Sequence, residues 1–147
     1  MSELGDRESV GFVRMGGEFR YIVQPGMVDT SVSFIDSNCA YAYGWSRDLS
    51  IDDDAALESS WRLDLATMTF SDVELPGATW VVLRDALDDG RVVGKAGYDN
   101  GTPDDPADDE SRGFIYDFST KSVEWVTREG FSDIGFTALS EDTMVGF

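Results

Sequence analysis

Three segments of this chain follow the same order of residues, and this internal repeat limits the folds that the chain can adopt. The segments span residues 11–44, 60–94 and 113–146. Each opens at an aromatic residue and closes at a glycine 32 or 33 residues later: Phe12 to Gly44, Trp61 to Gly94, and Phe114 to Gly146. The aromatic residues are 49 and 53 positions apart. A period near fifty residues is typical of stacked or radially arranged structural units.

Apolar and polar residues alternate with a period of two inside each repeat, which is typical of β-strands. In the second repeat, Trp61, Leu63 and Leu65 fall on one face of the opening strand. The matching set in the third repeat is Phe114, Tyr116 and Phe118. The first repeat is a weaker match, because Arg14 follows Phe12 at the position that Leu63 has in the second.

Turn-forming residues divide each repeat into four strands. Gly16-Gly17 suits a tight hairpin, because the favoured two-residue turns need positive φ. Pro25-Gly26 and Pro76-Gly77 suit turns in which proline fixes φ and glycine supplies the positive φ. Asp89-Gly90 lies between two apolar runs, as in a hairpin. The sequence therefore predicts twelve strands and no long helix.

The length of 147 residues is that of one domain with a sizeable core. We predict a single all-β domain, 1–147, with three four-stranded repeats and two acidic connectors between them. The repeats are 11–46, 60–97 and 113–147, and the connectors are 46–59 and 98–112.

Three such repeats close in different ways in different folds. A β-propeller usually has about four to eight blades, so three repeats need a partner. We predict a propeller-like homo-oligomer, with two chains giving six blades by closed symmetry. The alternative is a β-trefoil, which closes three repeats in a monomer, although the Gln-x-Trp tripeptide common in that fold is absent. A third possibility is a piece of a longer repeat array.

Acidic residues outnumber basic residues by 29 to 11, which gives a net charge of −18. This field repels phosphate backbones and anionic membrane surfaces, so we predict no nucleic-acid and no membrane partner. The acidity fits a solvating surface, cation binding in the loops, or an acidic decoy that captures a basic partner protein.

The acids concentrate in the two connectors. Carboxylates, an asparagine and carbonyl oxygens are ligands that calcium prefers, so calcium is a possible cofactor. The predicted metal ligands are Asp52, Asp53, Asp54, Asp104, Asp105, Asp108 and Asp109. Neither connector fits an EF-hand loop, and solvated acidic loops are the common alternative.

The residue types for most catalytic chemistry are missing from the sequence. There is no histidine, so a serine or cysteine nucleophile would lack its usual base. Cys39 is the only cysteine, which excludes an intrachain disulfide. No phosphate-binding glycine motif occurs. We predict that the chain is not an enzyme, with a carboxylate-based glycosidase as the remaining catalytic alternative.

The predicted function is a non-catalytic binding or assembly module, whose ligand is a glycan, another small molecule or a protein. Aromatic residues near strand ends can stack on sugar rings, and the candidates are Trp45, Trp80, Tyr98 and Trp125. The alternative interpretation is that these side chains pack between neighbouring sheets.

The repeat resembles the HAF-type extracellular repeat, which occurs in tandem and is propeller-like. The matching residues are Gly113-Phe114-Ile115-Tyr116-Asp117, Pro76-Gly77-Ala78 and the run from Leu87 to Gly94. The resemblance covers about residues 11–147, and it implies architecture but no catalytic residues or substrate. It implies an extracellular location, whereas residues 1–8 lack the apolar segment of a signal peptide and predict none. The compartment therefore stays open.

Overall fold

The computed structural model describes residues 9–48, 57–87, 89–99, 109–126, 136–140 and 143–146. These residues form twelve β-strands and no helix, which confirms the all-β prediction. In chain order the strands are β1 (Gly11–Met15), β2 (Glu18–Ile22), β3 (Asp29–Ile35), β4 (Tyr41–Asp48), β5 (Leu57–Asp64), β6 (Thr69–Asp72), β7 (Trp80–Ala86), β8 (Arg91–Asp99), β9 (Asp109–Asp117), β10 (Ser122–Val126), β11 (Phe136–Ser140) and β12 (Thr143–Gly146).

The twelve strands form four antiparallel sheets whose limits differ from those of the sequence repeats. The first full sheet has the order β3-β4-β5-β6, and the second full sheet has the order β7-β8-β9-β10. The strands β1-β2 form the N-terminal half-sheet, and β11-β12 form the C-terminal half-sheet. Each full sheet therefore takes two strands from one repeat and two from the next.

A β-bulge recurs at the same place in three hairpins and confirms the equivalence of the repeats in the backbone. In the ladder β3-β4, the register shifts after the pair Val32 and Gly44. In β7-β8 it shifts after Leu83 and Gly94, and in β11-β12 after Phe136 and Gly146. The extra residue bends the strand at the glycine that closes each repeat.

The predicted glycine turns are present. Gly16 and Gly17 both have positive φ, 57° and 85°, as a two-residue hairpin loop between β1 and β2 requires. Gly26 and Gly77 have φ of 82° and 84° in the two Pro-Gly turns. These turns connect β2 to β3 and β6 to β7, so they carry the chain from one sheet to the next.

The sheets pack face to face in chain order. The N-terminal half-sheet packs on the first full sheet through Val13 and Ile22, which contact a buried cluster with Trp61 and Leu63. A second cluster joins the two full sheets, and it includes Tyr43, Leu83, Val92, Phe114 and Tyr116. Strand β11 packs against β7 and β8 on the other side of the second full sheet. The two half-sheets therefore lie at opposite ends of the stack.

Candidate functional site

Each full sheet contains the same type of contact, in which a glycine lies directly opposite an aromatic residue on the neighbouring strand. Gly44 on β4 pairs with Trp61 on β5, and Gly94 on β8 pairs with Phe114 on β9. A Cβ on Gly44 would lie 2.6 Å from Cζ2 of Trp61, and one on Gly94 would lie 2.7 Å from Cζ of Phe114. Both aromatic side chains are fully buried. The absent glycine side chain therefore leaves the space that each ring fills.

A hydrogen bond fixes the first of these rings. The indole N–H of Trp61 donates to Oγ of Ser46 at 2.8 Å, and Ser46 is fully buried. The hydroxyl of Ser46 lies 3.5 Å from that of Thr30, which also accepts the backbone N–H of Gln24 at 3.0 Å. The polar end of the indole is thus satisfied inside the layer between β1-β2 and the first full sheet.

No sheet of the described chain packs on the outward face of the N-terminal half-sheet, whereas the corresponding Trp61 and Phe114 of the full sheets lie in buried clusters. Phe12, Phe19 and Tyr21 are 57%, 62% and 66% exposed. The Phe12 and Phe19 rings contact each other at 5.7 Å between centroids, and the Arg14 guanidinium lies 5.8 Å from the Phe19 ring. We call these four residues the outer face of β1-β2. Such a cluster of exposed aromatic residues is typical of an interaction surface.

An apolar groove lies beside the edge of β1 that pairs with no strand in the described part of the chain. It has a volume of about 500 Å³ and separates β1 from β3. The residues that line it include Phe12, Met15, Val32, Ile35, Cys39 and Leu65. We call this space the β1 groove. It combines an open strand edge with an apolar floor, which are the two features that a further β-strand needs in order to add to a sheet.

A part-buried ion pair joins Asp29 on β3 to Arg47 on β4, and Asp29 also binds Ser9 just before β1. Asp29 is 3% exposed and accepts hydrogen bonds from Nε of Arg47 at 3.0 Å and from Oγ of Ser9 at 3.1 Å. Ser9 also forms an isolated bridge with Asp29. These contacts fix the strand that borders the β1 groove.

The structure brings together two of the four aromatic residues that we predicted to bind a ligand. Tyr98 and Trp125 contact each other at 5.6 Å, and the Arg112 guanidinium lies 4.3 Å from the Tyr98 ring. Arg112 in turn pairs with Glu110 at 3.1 Å. Partial burial raises the pKa of Tyr98, and the charge of Arg112 opposes that shift. Both rings pack against the cluster between the two full sheets.

The other two predicted ligand residues lie elsewhere. Trp80 pairs with Gly97, the neighbour of Tyr98, so Trp80 is on the opposite face of the second full sheet from Tyr98. Trp45 lines a separate opening of about 530 Å³ between the two full sheets. The four residues therefore do not form one surface.

Most of the predicted calcium ligands lie outside the described residues. These are Asp52, Asp53, Asp54, Asp104, Asp105 and Asp108. Asp109 is the first residue of β9, and only its backbone is described. Within the described part of the chain, no group of three or more acidic or cysteine side chains is placed to hold a metal ion.

The outer face of β1-β2 was not identified from the sequence, because Phe12 was considered there only as the aromatic residue that opens the first repeat. One signal was present in the sequence. Arg14 occupies the position of the buried Leu63 and Tyr116, and a charge at a core position of a repeat indicates a face that is not covered within the chain.

The sequence matches no protein-family model and no curated protein. Neither result tests the resemblance to the HAF-type repeat, which stays a prediction. The described residues form no helix with the length and apolar character that crossing a bilayer requires.

Proposed function

We propose that this chain is a non-catalytic assembly module, whose repeats complete a propeller-type ring with a second copy. The observation that carries this proposal is the half-sheet at each end of the stack. One half-sheet also exposes Phe12, whose repeat counterparts Trp61 and Phe114 are fully buried.

The number of blades fits a closed ring of two chains. One copy supplies a half-sheet, two full sheets and another half-sheet, which together equal three four-stranded blades. Two copies supply six blades, within the range of about four to eight that closed propellers use. Two-fold symmetry is the commonest closed arrangement of identical subunits.

The packing of the sheets favours the propeller over the trefoil. A trefoil closes its repeats around one barrel, whereas here successive four-stranded sheets stack face to face and none of the four sheets is closed. The short Pro-Gly turns that pass from the last strand of one sheet to the first strand of the next fit the connections between propeller blades.

The mass of the 147-residue chain in solution tests this proposal. One copy has a mass of 16.2 kDa, so size-exclusion chromatography with light scattering is expected to give twice that mass. Because each copy carries a charge of −18, salt is expected to strengthen the self-association by screening repulsion. A mass of one copy from micromolar to near-millimolar concentration would overturn the proposal.

The same salt series separates self-assembly from the acidic decoy. Capture of a basic partner depends on attraction between opposite charges, so salt weakens it. An association that disappears as salt is added would therefore count against the assembly module.

A further inference from the structure

We infer, on the basis of the proposed assembly, that β12 of one copy pairs antiparallel with β1 of a second copy, with Gly146 opposite Phe12. In this arrangement the β11-β12 hairpin fills the β1 groove. The four strands β11-β12-β1-β2 then form a third full sheet from two chains.

The register follows from the two full sheets. Gly44 pairs with Trp61 and Ala42 with Leu63 in the ladder β4-β5. Gly94 pairs with Phe114 and Val92 with Tyr116 in the ladder β8-β9. Both ladders thus place the glycine that closes one repeat opposite the aromatic residue that opens the next. Applied to the ends of the chain, the same rule gives the pairs Gly146 with Phe12, Val145 with Val13, Met144 with Arg14, and Thr143 with Met15.

The exposure of residues on β3 also supports the β1 groove as the position of the β11-β12 hairpin. The shared bulge makes Val32 and Ile35 equivalent to Leu83 and Ala86. Leu83 is 6% exposed, because it belongs to the cluster between the first and second full sheets. Ile35 is 48% exposed and lines the β1 groove. A four-stranded sheet precedes β7, whereas only the two-stranded half-sheet β1-β2 precedes β3, so the groove is the space of the two missing strands.

The β11-β12 hairpin has apolar residues at the register positions for which the β1 groove requires them. By register, Ala138 and Val145 are the counterparts of Phe34 and Tyr43, which pack against the second full sheet. Both counterparts are apolar. The hairpin therefore brings apolar register positions to an apolar groove.

The opposite end of the stack carries a matching uncovered face. By repeat position, Ile115 and Val126 on β9-β10 are the counterparts of Val13 and Ile22 on β1-β2. Val13 and Ile22 are 7% and 0% exposed, because they pack on the next sheet. Ile115 and Val126 are only half-buried. In the ring, the outer face of β1-β2 of the second copy covers them.

A second copy is the occupant because the two half-sheets of one chain are separated by both full sheets. The N-terminal half-sheet packs on the first full sheet, and β11 packs on the second. Pairing of β12 with β1 therefore joins two chains, and the exchange is reciprocal around a two-fold axis.

Cysteine cross-linking tests this register. Residues directly opposite in an antiparallel ladder have Cα atoms about 4.5–5.5 Å apart, which suits a disulfide. In a Cys39→Ser background, the variant with Met15→Cys and Thr143→Cys is expected to give a disulfide-linked species of two copies on a non-reducing gel. The matched control, with Arg14→Cys and Thr143→Cys, is out of register by one residue, so its side chains lie on opposite faces and little cross-linking is expected.

The possible results separate this inference from the proposed function. A mass of two copies without the in-register cross-link overturns the inference but leaves the assembly module intact. A cross-link inside one chain, or between two chains that carry only Met15→Cys, also overturns it. A mass of one copy overturns both.

A surface substitution provides a second measurement. Phe12 is exposed in the single chain, so Phe12→Asp is expected to retain the β-sheet circular dichroism of the parent while weakening dimerisation by at least about tenfold. Phe12→Asp with unchanged dimerisation would overturn the proposed β12–β1 ladder.

Discussion

The strand pairs β1-β2 and β5-β6 occupy the same place in the sequence repeat but have different neighbours. On β5, Trp61 is fully buried opposite Gly44. On β1, the corresponding Phe12 is 57% exposed beside an unpaired strand edge. The repeat thus specifies a hairpin with an aromatic face, and the adjoining hairpin decides whether that face becomes core or surface.

The largest expected difference between these pairs is the effect of removing the aromatic side chain. Trp61→Ala leaves a cavity in the first full sheet and is expected to lower the free energy of unfolding by about 3–5 kcal/mol. Phe12→Ala removes a mostly exposed ring and is expected to cost less than about 1 kcal/mol in the single chain. Urea unfolding at concentrations where the mass is that of one copy measures both.

Phe114→Ala is the matched control on the second full sheet, and it should behave like Trp61→Ala because Phe114 is also fully buried. Equal losses of unfolding free energy for Phe12→Ala and Trp61→Ala would show that β1-β2 is covered in the single chain. This result would contradict the difference in exposure between Phe12 and Trp61.

The second expected effect concerns the glycine under the ring. Gly94→Ala places a methyl group against the backbone carbonyl oxygen of Val82 and 2.7 Å from Cζ of Phe114, and overpacking of this kind typically costs about 1–3 kcal/mol. Phe114→Leu in the same chain relieves the contact with the ring but not the contact with the Val82 carbonyl, so the double variant is expected to lose only slightly less than the sum of the single losses. Strict additivity in urea unfolding would mean that the glycine is needed for another reason.

The third expected effect is that of the hydrogen bond to the indole, which has no counterpart at Phe12. Ser46→Ala leaves the Trp61 N–H buried without its acceptor and is expected to cost about 1–3 kcal/mol. In a Trp61→Phe background there is no N–H to satisfy, so Ser46→Ala should cost much less. The same loss in both backgrounds would assign the role of Ser46 to packing.

The strands and turns of this fold were predictable from local sequence. The alternation of apolar and polar residues around Trp61 depends only on neighbouring residues, and so do the turn signals Gly16-Gly17 and Pro76-Gly77. The structure has strands and turns at these places. Which strands group together in one sheet was not predictable in this way. Whether β5 pairs with β4 of the previous repeat depends on contacts across a connector, and repeat units leave the grouping of strands open.

The candidate site was harder to predict for the same reason. Phe12 and Phe19 have the residue types of a core, and they are surface residues because no sheet of the described chain packs on the outer face of β1-β2. Tyr98 and Trp125 have the residue types of a sugar-binding site, but they lie on β8 and β10, on either side of β9 in one sheet, and pack against the inter-sheet core with Arg112 beside them. Charge gave the better signal, since Arg14 marks the uncovered face.

The smallest expected effect, taken one pH unit above the ordinary tyrosine pKa, is a pH dependence that arises from Tyr43 in the layer between the full sheets. Tyr43 is fully buried and stacks on Phe34 at 4.9 Å, and its hydroxyl has no hydrogen-bond partner among the described residues. Burial raises the pKa of Tyr43, with the nearby Arg62 opposing the shift. Above the ordinary tyrosine pKa of about 10, the unfolded phenol ionises while the folded one stays neutral, so stability is retained below that pH and falls above it by about 1.4 kcal/mol per pH unit.

Tyr43→Phe is therefore expected to remove this part of the alkaline loss and to leave stability near neutral pH almost unchanged, because no hydrogen bond is lost. Urea unfolding of both chains on either side of the tyrosine pKa measures the difference. Tyr98→Phe is the comparison variant, since burial raises the pKa of Tyr98 while Tyr98 is only half-buried. An equal alkaline slope in the parent chain and in Tyr43→Phe would contradict the assignment. Because Tyr43 belongs to the buried cluster between the two full sheets, the change in slope on Tyr43→Phe reports on that layer.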